Sequence, residues 1–165
     1  MTPRTLALML SAVVVLAACS REEPNADANA GLEQSNLGGQ WAENSIGFFN
    51  NVIGDRVFFA TDSSVLDAAA RATLDAQAGW LRANPGATAV VEGHADERGT
   101  QEYNLGLGAR RANSAYNYLI SQGVEAGRLR TVTFGKERPE ATCSDESCWS
   151  QNRRSVSVVA NAPAS

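Results

Sequence analysis

A single histidine, His94, is present in the 165 residues. Metal sites built on paired histidines are therefore excluded. No Gly-x-Ser-x-Gly elbow occurs, so the commonest serine-hydrolase geometry has no foothold. Cysteine is nearly as scarce, with only Cys19, Cys143 and Cys148. Two cysteines and one distant histidine make a poor zinc site, and neither a metal nor a cofactor is expected. The charge is mildly acidic, −4 from 14 basic and 18 acidic side chains. No basic tract runs through it, which argues against a nucleic-acid partner. Beyond the first 18 residues there is no second long apolar run, so the remainder is expected to be soluble.

The N-terminus carries what the rest lacks. Arg4 supplies a positive start, Leu6 to Leu16 is a short apolar stretch, and Leu16-Ala17-Ala18-Cys19 follows. That pattern predicts a cleaved export signal over 1–18 rather than a spanning helix. The last four residues resemble the bacterial lipobox, which implies a diacylated Cys19 as the mature N-terminus. Several acyl chains, at ~0.8 kcal/mol per buried CH2, would anchor it permanently. Ser20, in place of an aspartate after the cysteine, implies sorting to the outer membrane. Setting Cys19 aside leaves Cys143 and Cys148 as a pair around Ser144-Asp145-Glu146-Ser147. An oxidising periplasm would permit a disulfide there, with zinc the rival reading.

Residues 19–40 are polar and rich in small side chains, and lack the apolar content to offset ordering entropy, so they are expected to be a lipidated flexible linker. Residues 41–55 carry Trp41, Ile46, Phe48, Phe49, Val52 and Ile53 and are expected to dock on the domain that follows, in a conformation the pattern leaves open. The folded domain is expected over 56–160, with 161–165 a tail. Val57-Phe58-Phe59 reads as a strand. Ser64 and Asp67 are spaced as a weak capping box before a helix whose face is Leu66, Ala70, Leu74, Gln77 and Leu81, widened by Ala69, Thr73 and Trp80. Asn84-Pro85-Gly86 stops it. Thr88 to His94 reads as an interior strand, with Val90 and Val91 on opposite faces. A second helix starts at Gly99-Thr100 and ends at Gly123, with Leu105, Ala109, Ala112, Tyr116 and Leu119 as its predicted core face. Leu129 to Phe134 is a strand, Gly135 to Gln151 a long loop, and Arg154 to Val159 a final strand. The order βαβαβ-β predicts an α+β two-layer sandwich, with helices packed on one face of a four-stranded sheet.

The densest chemistry lies at Val91-Glu92-Gly93-His94-Ala95-Asp96-Glu97-Arg98-Gly99-Thr100 and the following Tyr103-Asn104, Leu107-Gly108-Ala109-Arg110-Arg111-Ala112. There a carboxylate follows a strand and an arginine sits on the next helix, so both charged ends of a zwitterion can be held. Asn104, Leu107 and Arg111 fall on one helical stripe, at i, i+3 and i+7. With Phe134-Gly135-Lys136-Glu137-Arg138-Pro139 and Gln151-Asn152-Arg153-Arg154-Ser155-Val156, these motifs make the chain resemble the OmpA-like peptidoglycan-binding domains over about 56–159. The resemblance implies a mixed sheet and non-covalent binding of the meso-diaminopimelate side chain of wall stem peptides. Asp96 would take the ammonium and the fork of Arg111 the carboxylate. His94, Asn104, Leu107 and the loop from Phe59 to Asp62 would complete the site. In that loop Thr61 stands where relatives commonly have an aromatic. The resemblance also implies an outer-membrane lipoprotein facing the periplasm, tethered to the wall within the Tol system, with TolB and TolA as partners and a role in cell division.

Plainer roles compete. Asp96 can cap the second helix, His94 can be a sheet-end histidine, Glu97 and Arg98 can belong to the ligand site or to a partner surface, and Arg153 and Arg154 can border the site or be a solvated strand start. Of Arg110 and Arg111, about 100° apart on the helix, one is expected to face solvent. Gly93 is expected to let backbone pass close by. A lipid-anchored hydrolase using His94, Asp96 and Glu97 is the alternative function, though two acids one residue apart cannot flank a scissile bond.

Overall fold

The computed structural model describes residues 41–160; the signal segment, Cys19, the linker to residue 40 and the tail from 161 lie outside the described residues. Four strands, β1 (Arg56–Phe58), β2 (Thr88–His94), β3 (Leu129–Gly135) and β4 (Arg154–Ala160), form one sheet in the order β1-β4-β2-β3. β2 and β3 are parallel, and β4 runs antiparallel to both β1 and β2. The mixed four-stranded sheet and the order of its strands and two long helices are those expected from the sequence.

The short α1 (Ile46–Phe48) runs into a π-helical turn, Phe49–Gly54. This leading segment is tied down by Phe49, wholly buried and edge-on to Trp80 at 5.1 Å between ring centres. The Trp80 indole N–H also donates to the Glu43 carbonyl at 2.7 Å. α2 (Ala68–Ala83) begins later than a Ser64 cap would place it: Asp67 is its cap and accepts from the Ala70 N–H at 2.7 Å. Leu66, Ala70, Leu74, Gln77 and Leu81 are all buried as the 3.6-residue period requires, whereas Ala69 is exposed.

α3 (Gln101–Ser121) is rotated from its predicted orientation. Its buried face is Asn104, Leu107, Gly108, Arg111, Ala112, Ala115 and Leu119, while Leu105, Ala109 and Tyr116 are only partly covered. The apolar pattern misplaces the face because two polar side chains, Asn104 and Arg111, lie on the buried side. Close helix–sheet packing is permitted by a pair of glycines. A Cβ on Gly93 would lie 1.9 Å from the Gly108 carbonyl oxygen, and one on Gly108 would lie 2.5 Å from Thr133 Oγ1. Gly93→Ala must therefore push α3 off β2. We expect it to lower stability by about 2 kcal/mol and to lower the urea midpoint; an unchanged midpoint would show that the helix can slide freely.

The opposite face of the sheet is partly covered by residues 136–152. The Arg138 guanidinium lies 3.7 Å over the Phe134 ring, and Glu140 pairs with Arg56 at 3.1 Å and with Arg154 at 3.4 Å. Within this supposed loop lies a fourth helix, α4 (Glu146–Asn152), capped by Asp145 accepting from the Ser147 N–H. Cys143 and Cys148 are joined in a disulfide with Cα atoms 5.5 Å apart.

Candidate binding pocket

An open cavity of about 340 Å³ lies where the end of β2, the loop after β1 and the first turns of α3 meet. Thr61, Asp62, Asp96, Arg98, Gly99, Tyr103, Asn104 and Leu107 line it. The sequence singled out four of these, Asp62, Asp96, Asn104 and Leu107.

Asp96 sits two residues past β2 and does not cap α3. That position belongs to Thr100, whose hydroxyl accepts from the Tyr103 N–H at 3.2 Å. Asp96 instead forms an ion pair with Arg98, Oδ2 to Nη2 at 2.6 Å, and its Oδ1 accepts from the Arg98 main-chain N–H at 3.2 Å. A second cation, Arg153, donates from Nη1 to Oδ2 at 3.4 Å. Burial pushes the Asp96 carboxyl up, but the bonds and charge of Arg98, with help from Arg153, outweigh it and hold the group below the usual carboxylate value. It is thus a carboxylate at neutral pH, bordering open space. Asn104 fixes the loop that carries it, donating from Nδ2 to the Arg98 carbonyl at 2.7 Å.

Arg111 is wholly buried and does not line the cavity. Its Nε donates to Ser63 O at 2.8 Å, Nη1 to His94 O at 2.9 Å and Nη2 to Ala60 O at 3.1 Å. The fork expected to face a ligand is therefore engaged with main-chain carbonyls, because a desolvated guanidinium has to place its donors. Three of its five N–H groups are used, leaving one on each terminal nitrogen. Burial lowers its pKa to about 10, opposed by the nearby negative charge of Asp96. No direct Asp96–Arg111 ion pair is present among the described residues. Arg110, its neighbour, is exposed and lies 5.9 Å from the Tyr103 ring.

Two expected site residues lie elsewhere. Phe59 is in the core, its ring 5.3 Å from the Arg111 guanidinium. The His94 side chain faces away from α3, stacked on Phe134 at 5.5 Å with Glu92 3.4 Å from Nε2. Alternation explains this: Gly93 faces α3, so its neighbours Glu92 and His94 face outward. Burial first, then the positive charges of Arg154 and Arg138, push the His94 pKa down to about 4. Since Glu97 Oε1 accepts from the Trp149 indole at 3.1 Å, the trio His94, Asp96 and Glu97 does not converge on any one point.

Tyr103 was not identified as a site residue, and Arg98 and Arg153 only as charges that could border the site. Tyr103 donates its hydroxyl to Asp62, which stands at φ +53°, a left-handed backbone that aspartate tolerates better than most residues. Arg153 is buried, and its Nε also donates to Phe59 O at 3.0 Å. The Asn152-Arg153-Arg154 run was the only sequence signal for it.

A model of the OmpA family matches residues 58–153. The peptidoglycan-associated lipoprotein of Mesorhizobium japonicum is 49% identical over 163 residues, covering 98% of this chain and 95% of that protein. That of Haemophilus influenzae is 39% identical over 149 residues, covering 90% and 93%. Among solved structures, the peptidoglycan-associated lipoprotein from Burkholderia pseudomallei superposes with a TM-score of 0.63 at 38% identity, over 64% of this chain and 90% of that one. The C-terminal domain of Helicobacter pylori MotB gives 0.60 at 20% identity, over 64% and 84%, a likeness of fold alone.

Proposed function

The chain belongs to the peptidoglycan-associated lipoproteins of the OmpA family, and from that premise we propose that it binds peptidoglycan non-covalently through the pocket at the start of α3. The ligand group is the zwitterionic end of a diaminopimelate stem peptide, an ammonium and a carboxylate on one carbon. Its ammonium pairs with Asp96. Its carboxylate lies toward Arg111, whose charge behind the pocket wall favours an anion there, while Asn104 and Leu107 support the wall and Asp62 flanks it. The observation that carries this reading is Asp96 itself, ionised and bordering a cavity large enough for an amino-acid head group.

The lipobox at Cys19 and the names of the relatives support a lipid anchor in the outer membrane, facing the periplasm. No helix among the described residues is long and apolar enough to cross a membrane. With lipid at one end and wall at the other, the molecule is a tether rather than an enzyme. The family resemblance supports TolB and TolA as partners in a Tol–Pal system that serves envelope integrity and cell division.

The test is sedimentation with purified sacculi. Asp96→Asn keeps the shape and removes the charge. It should weaken binding roughly tenfold to a hundredfold, the size of a lost charge-assisted bond of about 1.5–3 kcal/mol. Sacculi with lysine in place of diaminopimelate lack the carboxylate and should bind the parent poorly. Parent-like binding by Asp96→Asn would sink the assignment.

A further inference from the structure

We propose that the Cys143–Cys148 disulfide makes this binding site redox-responsive, by holding α4 where Glu146 and Trp149 compete with Asp96 for Arg153 and Arg98. The inference rests on the ligand role given to Asp96 above. Both cations that occupy Asp96 are also gripped by α4. The Arg98 guanidinium lies 4.2 Å over the Trp149 ring, and Arg153 pairs through both terminal nitrogens with Glu146. An incoming ammonium has to displace at least Arg98, and the helix offers that arginine an aromatic face and a nearby carboxylate when it leaves. Glu146 meanwhile shares the charge of Arg153, which is 5% exposed and, among the described residues, otherwise has only Asp96 as a carboxylate partner within 4 Å.

A helix of seven residues does not persist on its own. Here its first turn is closed covalently: Cys148 is buried, and the Cys143 N–H donates to Cys148 Sγ at 3.1 Å. The Glu146 side chain is 63% exposed, and buried Asn152 anchors only the far end of the helix, so once the crosslink opens the first turn is held by the Asp145 cap and the Arg153 pair alone. A dithiol reductant opens it by thiolate attack on one sulfur, giving a mixed disulfide that the second thiolate resolves. Two electrons and two protons end on Cys143 and Cys148, and the reductant leaves as its own disulfide. With that turn frayed, Arg153 and Arg98 turn wholly to Asp96, and the ligand ammonium meets a carboxylate more tightly paired than in the oxidised form.

The full chain should be compared in four forms: oxidised, reduced with dithiothreitol, Cys143→Ser with Cys148→Ser, and Glu146→Gln with the disulfide intact. Sacculus binding should weaken about fivefold in each of the last three. The Asp96 carboxyl, followed by NMR, should titrate lower in the reduced form, a shift that a purely structural crosslink would not produce. Should the double serine variant fail to fold, Glu146→Gln decides the matter, since its crosslink is untouched. Equal or tighter binding in the reduced and Glu146→Gln forms, with Asp96→Asn still impaired, overturns the redox proposal alone. If Asp96→Asn also binds like the parent, the binding site itself is misassigned.

Discussion

Arg111→Ala is expected to lose about 4 kcal/mol of folding stability. A ligand-facing arginine on a rim could be removed at almost no cost to the fold, but this side chain is wholly buried and joins the Ala60–Ser63 loop to the end of β2 through three main-chain carbonyls. Its loss removes a donor from the carbonyls of Ala60, Ser63 and His94, of which Ala60 keeps the Ser63 N–H at 3.2 Å, and leaves a void against Phe59. Stranded acceptors are worth about 1–3 kcal/mol each and the cavity adds to them, while relief from burying a charge returns part of the sum. Arg111→Met should recover the packing share and leave the carbonyls unsatisfied, giving an intermediate urea midpoint. Arg111→Lys keeps a charge but cannot reach three diverging oxygens with one ammonium. It should fold, loosen the Ala60–Ser63 loop and bind sacculi more weakly than the parent. If Arg111→Ala unfolds at the parent midpoint, the residue is a rim ligand after all and the buried strut is wrong.

Acid is the second large effect, and His94 is its source. Folding lowers this pKa from 6.5 to about 4, so between those values the unfolded chain binds a proton that the folded chain refuses. Stability is therefore full above about pH 6.5 and falls with pH down to about 4, by an upper figure of roughly 3 kcal/mol for this one group. Opening of the segment over the ring would let the charge hydrate and reduce that figure. Urea unfolding at pH 4, 5, 6 and 7.5 should show the loss in the parent and a shallower slope in His94→Gln. Parallel curves would mean that the ring is hydrated or finds a partner when protonated.

The fold was largely legible because its strands and long helices obey simple periods. Leu66, Ala70, Leu74 and Leu81 mark one helix, and Thr88 to His94 an interior strand, without tertiary knowledge. The α3 face was misjudged for a physical reason. Asn104 and Arg111 are buried by partners distant in sequence, and no local pattern distinguishes a satisfied buried arginine from a solvated one. α4 was hidden similarly: its polar run is stabilised by an Asp145 cap, a crosslink and an ion pair to Arg153, none of which raises apolar periodicity. Within the site, Asp96, Asn104 and Leu107 were evident from motif and spacing. Tyr103 and Arg98 were in the same stretch, but their relevance depends on the loop after β1 and on Trp149, tens of residues away in sequence. Phe59 and His94 were placed in the right neighbourhood but on the wrong side of their own backbones.

The strand order has one more consequence. β4 is last in the sequence yet central in the sheet, the sole strand partner of β1 and an edge-long neighbour of β2. A chain that emerges N-terminus first, from a ribosome or a translocation channel, can pair β2 with β3, but it must hold β1 and the other edge of β2 unpaired until that final stretch arrives. Closure of the sheet is thereby postponed until β4 is free to insert, and whatever shields the nascent polypeptide has to cover β1 and that open edge of β2 meanwhile.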